Sequence, residues 1–130
     1  MKVRPAPGEA VRYLNNARDI VRRVPFERDI YVDSKPVREA MGTAYLAVLE
    51  AINEALSRRG VARKELPRSV DAYRVALQRH LATRNGKLMR EFESLYDLLH
   101  IAGYYRGLLY DRKVVRDAFD AAQRFIEKVA

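Results

Sequence analysis

The sequence of 130 residues predicts an all-α protein, an antiparallel bundle of about five helices, and three features carry this prediction. Apolar residues recur at alternating spacings of four and three, which aligns them on one face of a helix. No convincing period-two alternation, typical of a half-buried strand, occurs. Proline, glycine and capping residues separate the helical segments by short connections, and these favour antiparallel neighbours.

The first helix is expected from about residue 9 to residue 24. Pro25 ends it, because proline disfavours helical backbone in the residue before it. Residues 1–8 are expected to form an N-terminal tail, and residues 26–32 a connector of mixed charge. The apolar face of this helix consists of Ala10, Leu14, Ala17, Val21 and Val24.

The second helix is expected to be central. Asp33 and Ser34 supply capping oxygens and Pro36 falls in the first turn, while Gly60 is placed to end the helix near residue 59. Thirteen of the twenty residues from 37 to 56 are apolar, and many of them are small. So wide an apolar arc predicts close contacts on several sides.

Three further helices follow. Ser69 is expected to cap the third, which ends at Asn85 and Gly86. The fourth begins near Lys87 and ends between residues 103 and 107, and Asp111 caps the fifth. The expected core faces are Val70, Tyr73, Leu77 and Leu81 in the third, Leu88, Phe92, Leu95, Leu99 and Ala102 in the fourth, and Val115, Ala118, Ala122, Phe125 and Val129 in the fifth.

Absent residue types exclude several classes of function. Without cysteine there are no disulfides, no thiolate chemistry and no Cys-based zinc site. With only His80 and His100, we expect no metal and no cofactor. The longest apolar run, residues 44–49, is far short of the ~20 residues of a membrane span, and residues 1–14 lack a signal peptide's apolar region. We therefore expect a single cytoplasmic domain, residues 1–130, with no membrane association.

The net charge of +8 is concentrated in one third of the chain. Residues 57–90 contain ten basic and two acidic residues, so this stretch carries the whole excess. Arginine binds phosphate and carboxylate through two parallel hydrogen bonds, so this stretch is a candidate contact surface for RNA or an acidic partner; the alternative is plain solvation. The candidate binding residues are Arg58, Arg59, Arg63, Lys64, Arg68 and Arg74.

Tyrosines supply eight of the twelve aromatic residues. Tyr96, Tyr104, Tyr105 and Tyr110 are expected to gather at one helix junction. Tyrosine stacks on bases, which adds Tyr104 and Tyr105 to the candidate binding residues. It is equally common at a bundle end or a dimer interface, where the ring packs and the hydroxyl stays solvated.

Three segments together resemble a known superfamily. They are YLNNARD at residues 13–19, the alanine-rich residues 44–56, and HIAGYYRGLLYD at residues 100–111, which leads into an amphipathic last helix. This order resembles the HEPN superfamily, the higher eukaryote and prokaryote nucleotide-binding helical bundles. More closely it resembles a small bacterial family known only as a domain of unknown function.

The HEPN resemblance implies a homodimeric bundle. Active HEPN members cleave RNA without a metal, using an arginine and a histidine four to six residues apart. His100 matches that histidine by its position, but Glu93, Ser94 and Leu95 stand where the arginine is expected. The motif is therefore broken, and no cation is placed to stabilise the developing charge.

Three hypotheses follow. The first is a non-catalytic interaction module, a homodimer whose basic stretch contacts RNA or an acidic partner. The second is a divergent, toxin-like ribonuclease that uses His100 with Arg106 or Arg90 across a turn or a dimer. The third is a structural partner protein with no nucleic-acid role.

Overall fold

A computed structural model describes residues 8–82 and 86–130. Within these ranges the chain forms helices α1 (Glu9–Arg22), α2 (Ser34–Arg58), α3 (Val70–Ala76), α4 (Lys87–Leu95) and α5 (Arg112–Val129). A short 3-10 turn, Arg63–Glu65, lies between α2 and α3. Helices α3 and α4 continue as π-helix over Leu77–Leu81 and Tyr96–Tyr105. The predicted all-α fold is confirmed.

The predicted helix starts are confirmed by their capping hydrogen bonds. The Asp33 side chain accepts from the Lys35 amide at 3.1 Å, and Ser69 Oγ accepts from the Ala72 amide at 3.1 Å. Asp111 accepts from two amides of the first turn of α5. After α2, Gly60 adopts φ +91°, a left-handed conformation that favours glycine. These ends are therefore set by local sequence.

The core surrounds α2, as the wide apolar arc predicted. Eleven of its residues are buried, against α1, α5 and the π-helical half of α4. The five expected core residues of α5 are all buried, whereas Val70 and Leu81 of the third helix are only half-buried. The largest fully buried side chains are Phe92, Phe119 and Phe125. No polar or charged residue is buried in the described ranges.

Helix α4 approaches α2 closely at Gly103. A Cβ atom on this buried glycine would lie 2.6 Å from Cγ and 2.8 Å from Cβ of Met41, which is itself fully buried. Carbon atoms in contact are normally about 3.5–4.0 Å apart. The two helices therefore touch at a separation that only glycine permits.

The expected connector at residues 26–32 is wrong in part, because it contains a hairpin. Strands β1 (Phe26–Glu27) and β2 (Ile30–Tyr31) pair antiparallel, with Phe26 opposite Tyr31. The two turn residues, Arg28 and Asp29, have φ of 51° and 64°. Positive φ at both positions is typical of the tight hairpin turn that asparagine and glycine usually form, so the sequence carried no turn signal.

Tertiary contacts fix this hairpin. The Tyr31 amide donates to the Tyr110 carbonyl at 2.9 Å, and the Arg112 amide donates to the Asp29 carbonyl at 2.9 Å. The Arg112 guanidinium carbon lies 3.6 Å from the centroid of the Phe26 ring, and Arg112 also pairs with the Asp29 carboxylate. The hairpin thus joins the α1–α2 connection to the start of α5.

The expected bounds of three segments differ from the structure or lie partly outside the described residues. Helix α1 ends at Arg22, two residues before the expected end. The expected end of the third helix at Asn85 lies outside the described residues; helical structure is described as far as Leu81. The expected N-terminal tail also lies outside them, apart from Gly8.

Candidate functional site

The basic stretch does not form one patch. Arg58 and Arg63 line a groove of about 770 Å³ that they share with the carboxylates Glu50 and Glu54. Arg59 lines a different groove, of about 700 Å³, between α3 and the loop before it. Arg79 and His80 also line this second groove.

The cations around the α2–α3 connection are exposed. We call Arg58, Arg59, Arg63, Lys64 and Arg68 the basic surface. Arg58 donates a hydrogen bond to the Val129 carbonyl at 3.2 Å, and no carboxylate of the described residues lies within 4.0 Å of the other four. Arginines in α1 differ, since Arg12, Arg18 and Arg22 are each paired with a carboxylate.

The Arg74 side chain is held by other side chains of the protein. Its guanidinium holds both oxygens of Glu93 at 2.5 and 3.1 Å and the Asp71 carboxylate at 2.7 Å. The guanidinium carbon also lies 5.2 Å from the centroid of Tyr96. The hydrogen bonds that Arg74 donates to Glu93, and then to Asp71, raise its pKa. Arg74 therefore fastens α3 to α4 and is not part of the basic surface.

Tyr104 and Tyr105 lie far from the basic surface. The Tyr104 ring packs on Gly42, and Arg38 donates to the carbonyls of both tyrosines at 2.9 and 2.7 Å. From Gly42 to Arg59, α2 rises by roughly 25 Å, at 1.5 Å per residue. The tyrosines and the basic surface thus occupy opposite ends of α2 and do not converge on one site.

His100 lies among three tyrosine rings. Its ring centroid is 4.8 Å from Tyr45, 5.4 Å from Tyr96 and 6.0 Å from Tyr104. It lines a groove of about 480 Å³, whereas Arg90 lines a separate groove between α4 and α5. The histidine and the nearest upstream arginine therefore do not share a cavity.

The same cluster contains a deeply placed tyrosine. The Tyr45 side chain is buried between α2 and α4, and burial raises the pKa of its hydroxyl to about 12, with Tyr96 contributing in the same direction. Burial also raises the pKa of Tyr73. Both hydroxyls are therefore protonated at neutral pH, as is appropriate for packing residues rather than for bases.

Exposed apolar side chains cluster toward one end of the bundle, and only three of them, Tyr104, Tyr105 and Tyr110, were expected from the sequence to lie together. Of eleven exposed large apolar residues in the described chain, nine lie in the hairpin and its neighbour, in the first half of α2, or between the end of α4 and the first turn of α5. The contacts of the hairpin with Tyr110 and Arg112, and of Tyr104 with Gly42, bring these segments together. We call this set the apolar end: Phe26, Ile30, Val32, Leu46, Tyr104, Tyr105, Leu108, Tyr110 and Val114.

The described parts of the chain contain no candidate metal site. No three histidine, aspartate or glutamate side chains there are grouped so that they could hold a metal ion. None of the helices described is both long and apolar enough to cross a bilayer.

Comparison with known proteins places the chain in a family. A protein of unknown function from Dyadobacter fermentans is 37% identical, with 93% of this chain and 90% of that chain covered and a TM-score of 0.74. No curated protein matches the chain. The family model described as "Domain of unknown function (DUF5618)" matches residues 6–130. The expected membership of a family of unknown function is confirmed, and this chain belongs to the DUF5618 family.

Proposed function

We propose that this domain is a non-catalytic, homodimeric interaction module. Two copies associate through the apolar end, and each presents its basic surface to an acidic partner protein. The observation that carries the proposal is the separation of the two surfaces. Exposed apolar side chains collect along the first half of α2 and near it, and cations that no carboxylate of the described residues pairs with collect around its end. Large exposed apolar patches on a small domain mark interaction sites.

Charge favours association through the apolar end. Residues 57–90 carry ten basic and two acidic residues, and the rest of the chain sums to zero. Helix α2 has 25 residues and so is roughly 37 Å long. Contact through the apolar end therefore keeps the two basic surfaces apart by several times the Debye length of about 8 Å.

The surroundings of the basic surface favour a protein over RNA. Apolar side chains accompany Arg59 and Arg79 in their groove, among them Val61, Pro67 and Val75, and Val75 is 58% exposed. Arginine beside apolar contact area is typical of protein interfaces. Single-stranded RNA is bound on platforms of several aromatic rings, and the described residues place only one aromatic ring, that of His80, in this groove.

The resemblance to the HEPN superfamily supports the proposed helical homodimer. The surroundings of His100 support the proposal that the protein is not a catalyst. The imidazole is packed among tyrosine rings, and the guanidinium of Arg74, which also contacts Tyr96, is already held by two carboxylates. The His100 imidazole and the Arg74 guanidinium are therefore not free to act together on a phosphate group.

Fluorescence anisotropy tests the basic surface. The probes are a short labelled peptide of glutamate and leucine and a single-stranded RNA of equal charge, each titrated at low and near-physiological salt. We expect the peptide to stay bound at the higher salt and the RNA to dissociate, since purely electrostatic phosphate binding weakens steeply with salt. Reversing Arg59, Arg63 and Arg68 to glutamate should abolish peptide binding.

A matched control has the same change in net charge. It carries Arg12, Arg23 and Arg116 as glutamate, all exposed and outside the basic surface. Equal losses of peptide binding in both triple variants would show that binding depends only on the net charge of the protein, and would overturn the proposed binding surface. RNA that binds at the higher salt and is cleaved, with loss of cleavage in His100→Ala, would establish the ribonuclease instead.

Light scattering tests the dimer. The chain mass is 15.0 kDa, so we expect a particle of twice that mass. Leu46→Asp with Leu108→Asp should give a monomer, because each places a charge in the apolar end. Val11→Asp with Val75→Asp, at exposed valines elsewhere, should leave the mass unchanged. A wild-type monomer at all concentrations would refute the dimer.

A further inference from the structure

A groove between α4 and α5 is separate from both surfaces of the proposed function. It has a volume of about 470 Å³, within the size range of small-molecule sites. We call it the α4–α5 groove. From Arg90 to Leu98 it follows α4 over eight residues, or roughly 12 Å at 1.5 Å per residue. Its principal lining residues are Lys87, Arg90, Leu95, Leu98, Arg124 and Lys128.

Cations from both helices surround this groove. Among the described residues one carboxylate lines the groove, that of Glu91, and it is paired with Lys128 at 2.6 Å. Arg90 and Arg124 are exposed, and no carboxylate in the described ranges lies within 4.0 Å of either guanidinium. Like charges held in one groove repel, and a bound anion would relieve that repulsion. Guanidinium groups fit a carboxylate with two parallel hydrogen bonds.

The floor of the groove is apolar. Leu95 is buried, while Leu98 and Ala121 keep part of their surface open to the groove. A small inorganic anion would contact the cations and leave this surface wet. A ligand with an apolar body covers it as well, and removing this surface from water favours binding.

We propose that the α4–α5 groove binds an amphiphilic organic anion, a single apolar chain with a carboxylate at one end. The carboxylate lies between Arg90 and Arg124, and the chain runs over Leu98 and Ala121. The carboxylate could belong to a free, soluble molecule or to a membrane lipid, and the probes below distinguish the two sources. The assignment goes beyond the proposed function and uses none of the residues of the basic surface.

Titration calorimetry with three probes tests both halves of the ligand. Decanoate, below its micelle concentration, has the chain and the anionic head; acetate lacks the chain; decyltrimethylammonium has the chain with a cationic head. We expect decanoate alone to bind. Reversal of Arg90 and Arg124 to glutamate should weaken decanoate binding by at least about tenfold, because the carboxylate loses its charge-assisted hydrogen bonds and meets two negative charges instead.

The control variant reverses Arg23 and Arg116, two exposed arginines outside the groove, and should bind decanoate as the wild type does. Circular dichroism of both variants checks folding, and Arg124→Ala alone serves if the double reversal fails to fold. Equal binding of acetate or of decyltrimethylammonium would overturn the proposal. So would decanoate binding that survives the loss of Arg124, or binding to phosphatidylglycerol vesicles without binding to decanoate.

Discussion

Replacing Gly103 by alanine tests how closely α4 approaches α2. The new Cβ would lie 2.6 Å from Met41 Cγ and 2.8 Å from Met41 Cβ, about 1 Å inside normal contact. Met41 Cβ is fixed to the backbone of α2, so the clash is relieved only if the helices move apart. Overpacking of this kind costs about 1–3 kcal/mol, and the better helix propensity of alanine returns up to about 1 kcal/mol.

We therefore expect Gly103→Ala to lower the free energy of unfolding by about 1–2 kcal/mol. Urea unfolding followed by circular dichroism measures this loss. In a domain of this size the corresponding fall in Tm is about 3–8 °C. In a Met41→Ala background the same substitution should cost less but still more than nothing, because the 2.6 Å contact with Cγ is removed while the 2.8 Å contact with Cβ remains; a double-mutant cycle gives this coupling directly.

Gly42→Ala is the matched control. Its Cβ would meet the Tyr104 ring at 2.7 Å, but this ring is 46% exposed and can swing away by rotation about χ1. We expect a change within about 0.5 kcal/mol in stability. If Gly103→Ala were as stable as the wild type, or more stable, the close approach of α4 to α2 would be refuted.

Three further substitutions test the core, the buried tyrosine and a cap. Phe119→Ala should cost about 3–5 kcal/mol in urea unfolding, because the ring is fully buried, whereas Tyr105→Ala, at a 70% exposed ring, should cost little; equal costs would contradict this burial. Burial raises the pKa of Tyr45 from 10.0 to about 12, so the unfolded chain loses this proton first and stability should fall as pH rises from 10 to about 12. Tyr45→Phe should flatten that part of the pH profile, and an unchanged slope would count against it. Asp111→Ala should lower Tm through the loss of about 1 kcal/mol of capping, and an unchanged Tm would show the cap to be dispensable.

Local signals predicted most of the fold. The caps Asp33, Ser69 and Asp111 act on amides two or three residues away, and the four–three spacing of apolar residues directly reports a helix face. Such features depend on few residues and on no partner distant in sequence. The caps and helix faces are therefore predictable from the sequence alone.

Features set by distant contacts were not predictable. Arg74 is one of ten basic residues in its stretch, but Glu93, nineteen residues further along, turns it inward. The apolar end draws on two connections and the first half of α2, which meet only in the folded chain, so no single segment predicts it. The α4–α5 groove likewise needs cations from two helices, and only those of α4 belong to the basic stretch.

The hairpin has a consequence for the order of folding. The contact between Asp29 and Arg112 closes a loop of 83 residues, whereas α3 and α4, which follow each other in the chain, meet across only 19 residues between Arg74 and Glu93. Closure entropy grows with loop length and must be overcome before the contact gives any stabilisation, so this latch forms late. Weakening it with Arg112→Ala should therefore leave the folding rate unchanged and speed unfolding, which stopped-flow measurements on both limbs of the chevron can separate. The two-residue turn of the hairpin would then affect mainly the lifetime of the native state, which the unfolding rate sets, and would have little effect on the folding rate.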